Sequence, residues 1–207
     1  MQSLQTAFLK DTAAASVQLN PNFRYLRATS DGRVILLVLG YVDSHPHGPI
    51  QVWYSAQREV LRIQNGRIVG AVGLNAEWRD VVLPELPSWS RLAQVEGVFR
   101  WVRVRDFMPG YRFGVRDTLA LRVVNAPPRS ALQDMDPLSL TWFEEALEFD
   151  TQGGSAEPET KLVPARYAVT LRGGTETVVY GEQCLSSALC ITWQTWPATP
   201  QSAKAAR

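Results

Sequence analysis

The chain has 207 residues, with 21 Lys+Arg against 20 Asp+Glu, a formal net charge of +1, 45% hydrophobic residues and 20% charged residues. That profile argues against disorder, and the balanced charge gives no reason to expect nucleic acid. The basic residues are 18 Arg and only 3 Lys, and there are 7 Trp beside 2 Cys and 2 His, so Cys/His zinc clusters are almost excluded and histidine chemistry has only His45 and His47 to draw on.

Residues 3–15 read as a short helix, with Leu4, Phe8 and Leu9 at helical spacing among alanines, ended by Asn20-Pro21-Asn22. Strand character follows from Phe23 to Ala28. Asp31-Gly32 is a hairpin signal leading into the longest apolar run, Val34 to Val42. Nine residues cannot cross a bilayer as a helix, which needs about 20, but the run suits a central strand buried on both faces. A Pro-rich loop, Asp43 to Pro49, separates it from short strands over Ile50–Ala56 and Glu59–Gln64. Asn65-Gly66 is the strongest hairpin turn in the chain, with Arg67–Val69 returning. Residues 74–92 lose the strand pattern and read as loop with a helical turn or two.

Strands resume over Val98–Phe107 and Tyr111–Val124 around Met108-Pro109-Gly110, then over Leu138–Asp150 and Leu162–Leu171, with a polar loop, Thr151 to Pro158, between the last two. Thr177–Glu182 and Ala188–Trp196 complete the pattern. This predicts an all-β, mainly antiparallel fold, a barrel or sandwich of about ten strands with the short N-terminal helix. A single domain spans residues 1–196, and 197–207 is expected to be a flexible tail. Charge is uneven: residues 1–125 hold 15 basic and 10 acidic side chains, residues 126–207 hold 6 and 10.

Phosphate-binding glycine motifs and a GxSxG nucleophile elbow are absent. Asp43, His45 and His47 could hold a metal but fit an exposed turn better. Glu144, Glu145, Glu148 and Asp150 lie near Trp142 and Phe143, and paired acids beside aromatics suit glycosidases. On a strand, however, Glu144 and Glu148 share one face and Glu145 takes the other. Trp142, Glu144 and Glu145 stand as candidate glycan or partner contacts, and any single Trp is twice as readily core as ligand platform. No catalytic residue, metal or cofactor is expected. Cys184 and Cys190 enclose five residues; they could form a disulfide in an exported protein or remain two buried thiols in a cytosolic one.

One stretch is specific enough to name a family. Tyr41-Val42-Asp43, then Gly48 to Leu61, then Gln64 to Val69 and Gly73-Leu74 resembles the YjbF/GfcB family of group 4 capsule and exopolysaccharide-operon lipoproteins. The signature residues are Trp53, Tyr54, Ser55, Arg58, Leu61, Asn65, Gly66 and Arg67, and their simplest role is structural. Trp142-Phe143-Glu144-Glu145, Val179-Tyr180-Gly181 and Trp193 continue the likeness.

The resemblance implies an exported, barrel-like all-β protein, associated with the outer membrane on its periplasmic side. Its implied partners are an outer-membrane β-barrel protein and a periplasmic protein of the same operon, with polysaccharide as a further partner. Membrane association would run only through a lipid anchor, and no lipobox cysteine stands near Met1, so the export and lipidation signal is expected to lie outside this chain. Export also favours the Cys184–Cys190 disulfide. The expected function is a non-enzymatic accessory lipoprotein of capsule or exopolysaccharide secretion and assembly. The alternatives are a carbohydrate-binding module with an aromatic groove and, behind it, a glycan hydrolase.

Overall fold

The computed structural model describes residues 18–148, 162–172 and 175–198. The predicted helix at 3–15, the loop at 151–158 and all but the first two residues of the predicted tail lie outside these. The described residues form β1 (Tyr25–Ser30), β2 (Arg33–Asp43), β3 (Ile50–Ser55), β4 (Val60–Gln64), β5 (Arg67–Val72), β6 (Glu77–Val82), a one-turn helix α1 (Trp89–Leu92), β7 (Phe99–Met108), β8 (Arg112–Val124), β9 (Thr141–Glu148), β10 (Ala165–Arg172), β11 (Thr175–Ser186) and β12 (Leu189–Trp196). Each strand pairs antiparallel with its neighbours in sequence, and β1 pairs with β12, with Ala28 opposite Trp193, to close a barrel. Closure leaves no unpaired sheet edge.

The all-β antiparallel barrel agrees with the sequence reading, but twelve strands are present among the described residues rather than about ten. The clearest omission is β6. Its sequence, Glu-Trp-Arg-Asp-Val-Val, has a register shift between Trp78 and Asp80 that hides the period of two. Trp78, fully buried, anchors the strand. The apolar run of β2 is also less enclosed than predicted. Val34, Ile35 and Leu37 are buried, whereas Tyr41 and Val42 are each 48% exposed on the barrel wall.

The two ends of the barrel differ. One end, the loop end, carries the long connections 44–49, 83–98 and 125–140, the Asn65-Gly66 turn, the start of β1 and the finish of β12. The opposite end carries the short connections 31–32, 56–59, 73–76, 109–111 and 187–188, and also the connection 149–164, of which residues 162–164 are described. Inside, Leu37, Trp53, Leu61, Trp78, Phe143, Ile191 and Trp193 belong to one continuous core. A second cluster lies on the other face of β9–β11, where Trp142, Ala168 and Tyr180 alternate with inward Phe143 and Tyr167. The 125–140 connection folds back over it. Gln194 accepts the Gln133 N–H at 2.9 Å and donates to the Gln133 carbonyl at 2.7 Å, and the Tyr180 hydroxyl accepts the Ala131 N–H at 3.0 Å.

Strands β5 and β11 meet across the lumen. β5 is registered with β6 at one position only, Ala71 opposite Trp78. Gln183 on β11 supplies a donor and an acceptor to the backbone of Ile68, and Trp78 Nε1 donates to the Leu185 carbonyl at 2.9 Å.

Candidate functional site

The barrel interior is charged as well as apolar. Arg67, at the start of β5, donates from Nε to Glu145 Oε2 at 3.0 Å, and its Nη2 lies 3.0 Å from the same oxygen. Trp101 Nε1 donates to Glu145 Oε2 and the Tyr167 hydroxyl donates to Glu145 Oε1, both at 3.2 Å. The guanidinium is enclosed by rings, 4.4 Å from the centroid of Trp89, 5.2 Å from Trp101 and 5.3 Å from Tyr167. A planar, delocalised cation can stack and fork at once, which lysine cannot. Burial, and after it the Glu145 charge, hold the Tyr167 hydroxyl well above the ordinary tyrosine range.

A second lattice lies further along the lumen. Arg103 and Arg105 both donate to Asp117 Oδ2, at 2.7 and 2.6 Å, and Arg103 stacks on Trp78 at 4.6 Å. The surplus of arginine over lysine in the sequence is thus partly an interior requirement: Arg67, Arg103 and Arg105 are all at most 5% exposed.

At the loop end, the 83–98 connection turns inward. Ser88 caps α1 by accepting the Arg91 N–H, and both oxygens of Glu176 on β11 accept backbone N–H groups, from Trp89 at 3.1 Å and Ser90 at 2.9 Å. Trp89 plugs part of the mouth, packing on Phe143 and Tyr167, and its Nε1 donates to the Asn65 carbonyl at 3.2 Å. Asn65 and Gly66 have φ of +49° and +75°, as a two-residue hairpin turn of this hand demands. A Cβ on Gly66 would lie 2.3 Å from Val178, so only glycine lets the turn reach across to β11.

The part of the mouth that the described residues leave uncovered is a pocket of about 320 Å³. Its polar wall consists of Arg24, Gln51, Asn65, Glu176, Thr177 and Thr195, and Trp89, Trp193, Leu26 and Ile63 are among its apolar lining. Of the pocket residues, the sequence marked Asn65 and Gly66 as a turn and Trp193 within the family likeness. Arg24, Glu176 and Thr195 carry no motif, and Gln51 lies in the family stretch without being one of its signature residues, because strands far apart in sequence bring the four together. The Pro87-Ser88-Trp89 sequence, a capping residue before an aromatic, was the one local signal for the plug.

The family-signature residues are distributed over the β3–β5 meander. Trp53 and Leu61 are core. Ser55 accepts the backbone N–H groups of Gln57 and Glu59 and hydrogen-bonds the Glu59 carboxylate, while Arg58 takes a φ of +74°, so together they shape the β3–β4 turn. Tyr54 lies on the outer wall beside Tyr41, across Gly40, where a Cβ would be 2.5 Å from the Tyr54 ring. A hydrogen bond with Tyr41 raises the Tyr54 pKa.

Trp142 and Glu145, proposed from sequence as surface contacts, are 1% and 3% exposed, so neither offers a surface to glycan or partner. The reason is the alternation of β9: Glu145 faces the lumen, and Trp142 is covered from outside by the 125–140 connection. Glu144 is half-buried and paired with Arg122 at 2.7 Å and Arg166 at 3.5 Å. His47 Nδ1 donates to the Leu83 carbonyl at 2.7 Å and His45 Nδ1 accepts from Gln64 Nε2 at 2.9 Å, so both rings brace the loop end. Among the described residues no three His, Cys, Asp or Glu side chains group as metal ligands. Cys184 and Cys190 face each other across β11 and β12 and are joined as a disulfide.

A closed antiparallel barrel, stapled by one disulfide, crossed by buried arginine–carboxylate lattices and open at a small polar mouth, defines an all-β barrel protein. The chain belongs to the YjbF family, described as "Group 4 capsule polysaccharide lipoprotein gfcB, YjbF", whose profile matches residues 2–157. The fold is similar to that in the crystal structure of the hypothetical lipoprotein YmcC from Escherichia coli K12, with a TM-score of 0.57 and 20% identity over 94% of this chain and 97% of that one. No curated protein sequence matches.

Proposed function

We propose that the chain is a non-enzymatic accessory protein of capsule or exopolysaccharide export, held at the periplasmic side of the outer membrane. It works there alongside the outer-membrane β-barrel protein and the periplasmic protein of the same operon. The family match over residues 2–157 carries this reading. The geometry of the candidate acids supports it. Glu144 and Glu145 take opposite faces of β9, so they do not flank one glycosidic bond. Each of the described acids is also committed to arginine, Glu144 to Arg122 and Arg166, Glu145 to Arg67, and Glu148 to Arg100 at 2.9 Å, while Asp150 lies outside the described residues.

A clean deletion is expected to stop polysaccharide reaching the cell surface, and complementation with Glu144→Gln or Glu148→Gln to restore it. Normal export in the deletion strain would sink the accessory role. Loss of export with a folded Glu144→Gln protein would favour the hydrolase. The loop-end pocket favours direct contact with glycan as a second reading, because it combines hydrogen-bonding side chains with two indoles.

A further inference from the structure

The loop-end pocket has a chemical character that narrows its ligand. Its volume of about 320 Å³ lies at the lower limit of small-molecule sites, which run from about 300 to 1,000 Å³. The charged side chains lining it, Arg24 and Glu176, are opposite in sign. Glu176 already accepts two N–H groups from α1, and it lines the same pocket as Arg24. Neither a free anion nor a free cation therefore gains from entering. Gln51, Thr177 and Thr195 add donors and acceptors in mixed supply, which suits hydroxyl groups that both give and accept hydrogen bonds. Leu26, Ile63 and the indoles of Trp89 and Trp193 supply apolar surface for ring C–H groups.

The pocket is also built rather than incidental. Its floor, Trp89, is fixed by Asn65, Phe143 and Tyr167, and its rim is the Asn65-Gly66 turn braced by Asn65 Nδ2 donating to the His47 carbonyl at 3.2 Å. Arg24 is exposed and reaches the mouth from the residue before β1, so it can meet a ligand without disturbing the core.

We infer that this pocket binds an uncharged sugar residue of the exported polysaccharide, with Arg24 and Gln51 hydrogen-bonding its hydroxyls. The inference rests on the export reading for the source of the sugar and goes beyond it in assigning a site and a ligand class. Uniformly ¹⁵N-labelled full chain is titrated with oligosaccharides released by partial hydrolysis of the polysaccharide that the host exports, separated into neutral and acidic fractions. The neutral fraction is expected to shift the amide signals of Gln51, Asn65 and Gly66 and the indole signals of Trp89 and Trp193 saturably, with little change between low and high salt. Arg24→Ala combined with Gln51→Ala is expected to weaken binding by about tenfold or more. Thr195→Trp, which fills the pocket from its rim, is expected to abolish it, with melting temperature retained in both variants.

No saturable shift from the neutral fraction overturns the inference, as do shifts mapping elsewhere or unaffected by the substitutions. Tighter, salt-sensitive binding of the acidic fraction overturns the uncharged assignment. If the wild type fails to bind while the deletion strain loses export, the pocket assignment alone falls. If binding holds while the deletion strain exports normally, the export reading falls and the sugar site stands.

Discussion

Gln183 closes both backbone groups of Ile68 across 115 residues of sequence, its Oε1 accepting the N–H at 3.0 Å and its Nε2 donating to the carbonyl at 3.2 Å. The Tyr167 hydroxyl lies 3.2 Å from the same Oε1, so its one proton is shared between Gln183 and Glu145. An amide side chain thus does the work of a strand residue where the β5–β6 ladder has lapsed. Gln183→Leu fits the volume but leaves a buried N–H and a buried carbonyl unpaired. Urea unfolding should show a loss of about 2–5 kcal/mol. A loss below about 0.5 kcal/mol would mean that β5 finds other partners and that the side chain is not the clasp described.

Arg67 and Glu145 are expected to behave as a unit. Arg67→Lys keeps the charge but loses the fork and the stacking on Trp89, Trp101 and Tyr167. A destabilisation of about 3–5 kcal/mol is expected for Arg67→Met or Glu145→Leu alone, since each strands a buried charge. The double variant should cost clearly less than the two singles summed. Strict additivity in that cycle would contradict the coupling.

Two buried tyrosines give an alkaline limit. Tyr167 and Tyr180 are raised above the ordinary value of 10.0, in both cases first by burial and next by a neighbouring carboxylate, through its charge at Tyr167 and its hydrogen bond at Tyr180. Their neutral forms are favoured by folding, so this contribution is complete below pH 10 and is lost as pH rises towards the folded-state values. Stability should therefore fall with pH above about 10. Absorbance at 295 nm should show these hydroxyls ionising only with unfolding. Reversible titration of all six tyrosines near their free value in the folded protein would refute it.

The Cys184–Cys190 bond closes a short loop, with a sequence separation of 6. Loop-closure entropy for that length predicts a loss of about 2 kcal/mol on replacing both cysteines by serine. The barrel should persist, because β11 and β12 also pair from Tyr180 opposite Gln194 to Gln183 opposite Ile191. Collapse of the near-ultraviolet spectrum in the double serine variant at ambient temperature would show the bond to be essential for folding.

Local sequence carried most of the barrel. Period-two alternation and the Asp31-Gly32, Asn65-Gly66 and Met108-Pro109-Gly110 turns define hairpins through backbone preferences within a few residues, so a meander was legible without tertiary information. The unexpected strand β6 escaped because its main anchor, Trp78, only makes sense against Leu185 and Arg103 from distant strands, and Val81, its other buried residue, does not keep the period of two with it. The site was barely legible. Its rim, Asn65-Gly66, announced itself as a turn, but Arg24, Gln51, Glu176 and Thr195 become neighbours only when β1 meets β12 and the barrel closes. The same closure decided the fate of the acids on β9. Composition showed an excess of arginine and tryptophan, and alternation showed that Glu144 and Glu145 must part. Which of the two faced the lumen, and that an arginine caged by aromatics waited there, depended on the long-range register of the closed sheet.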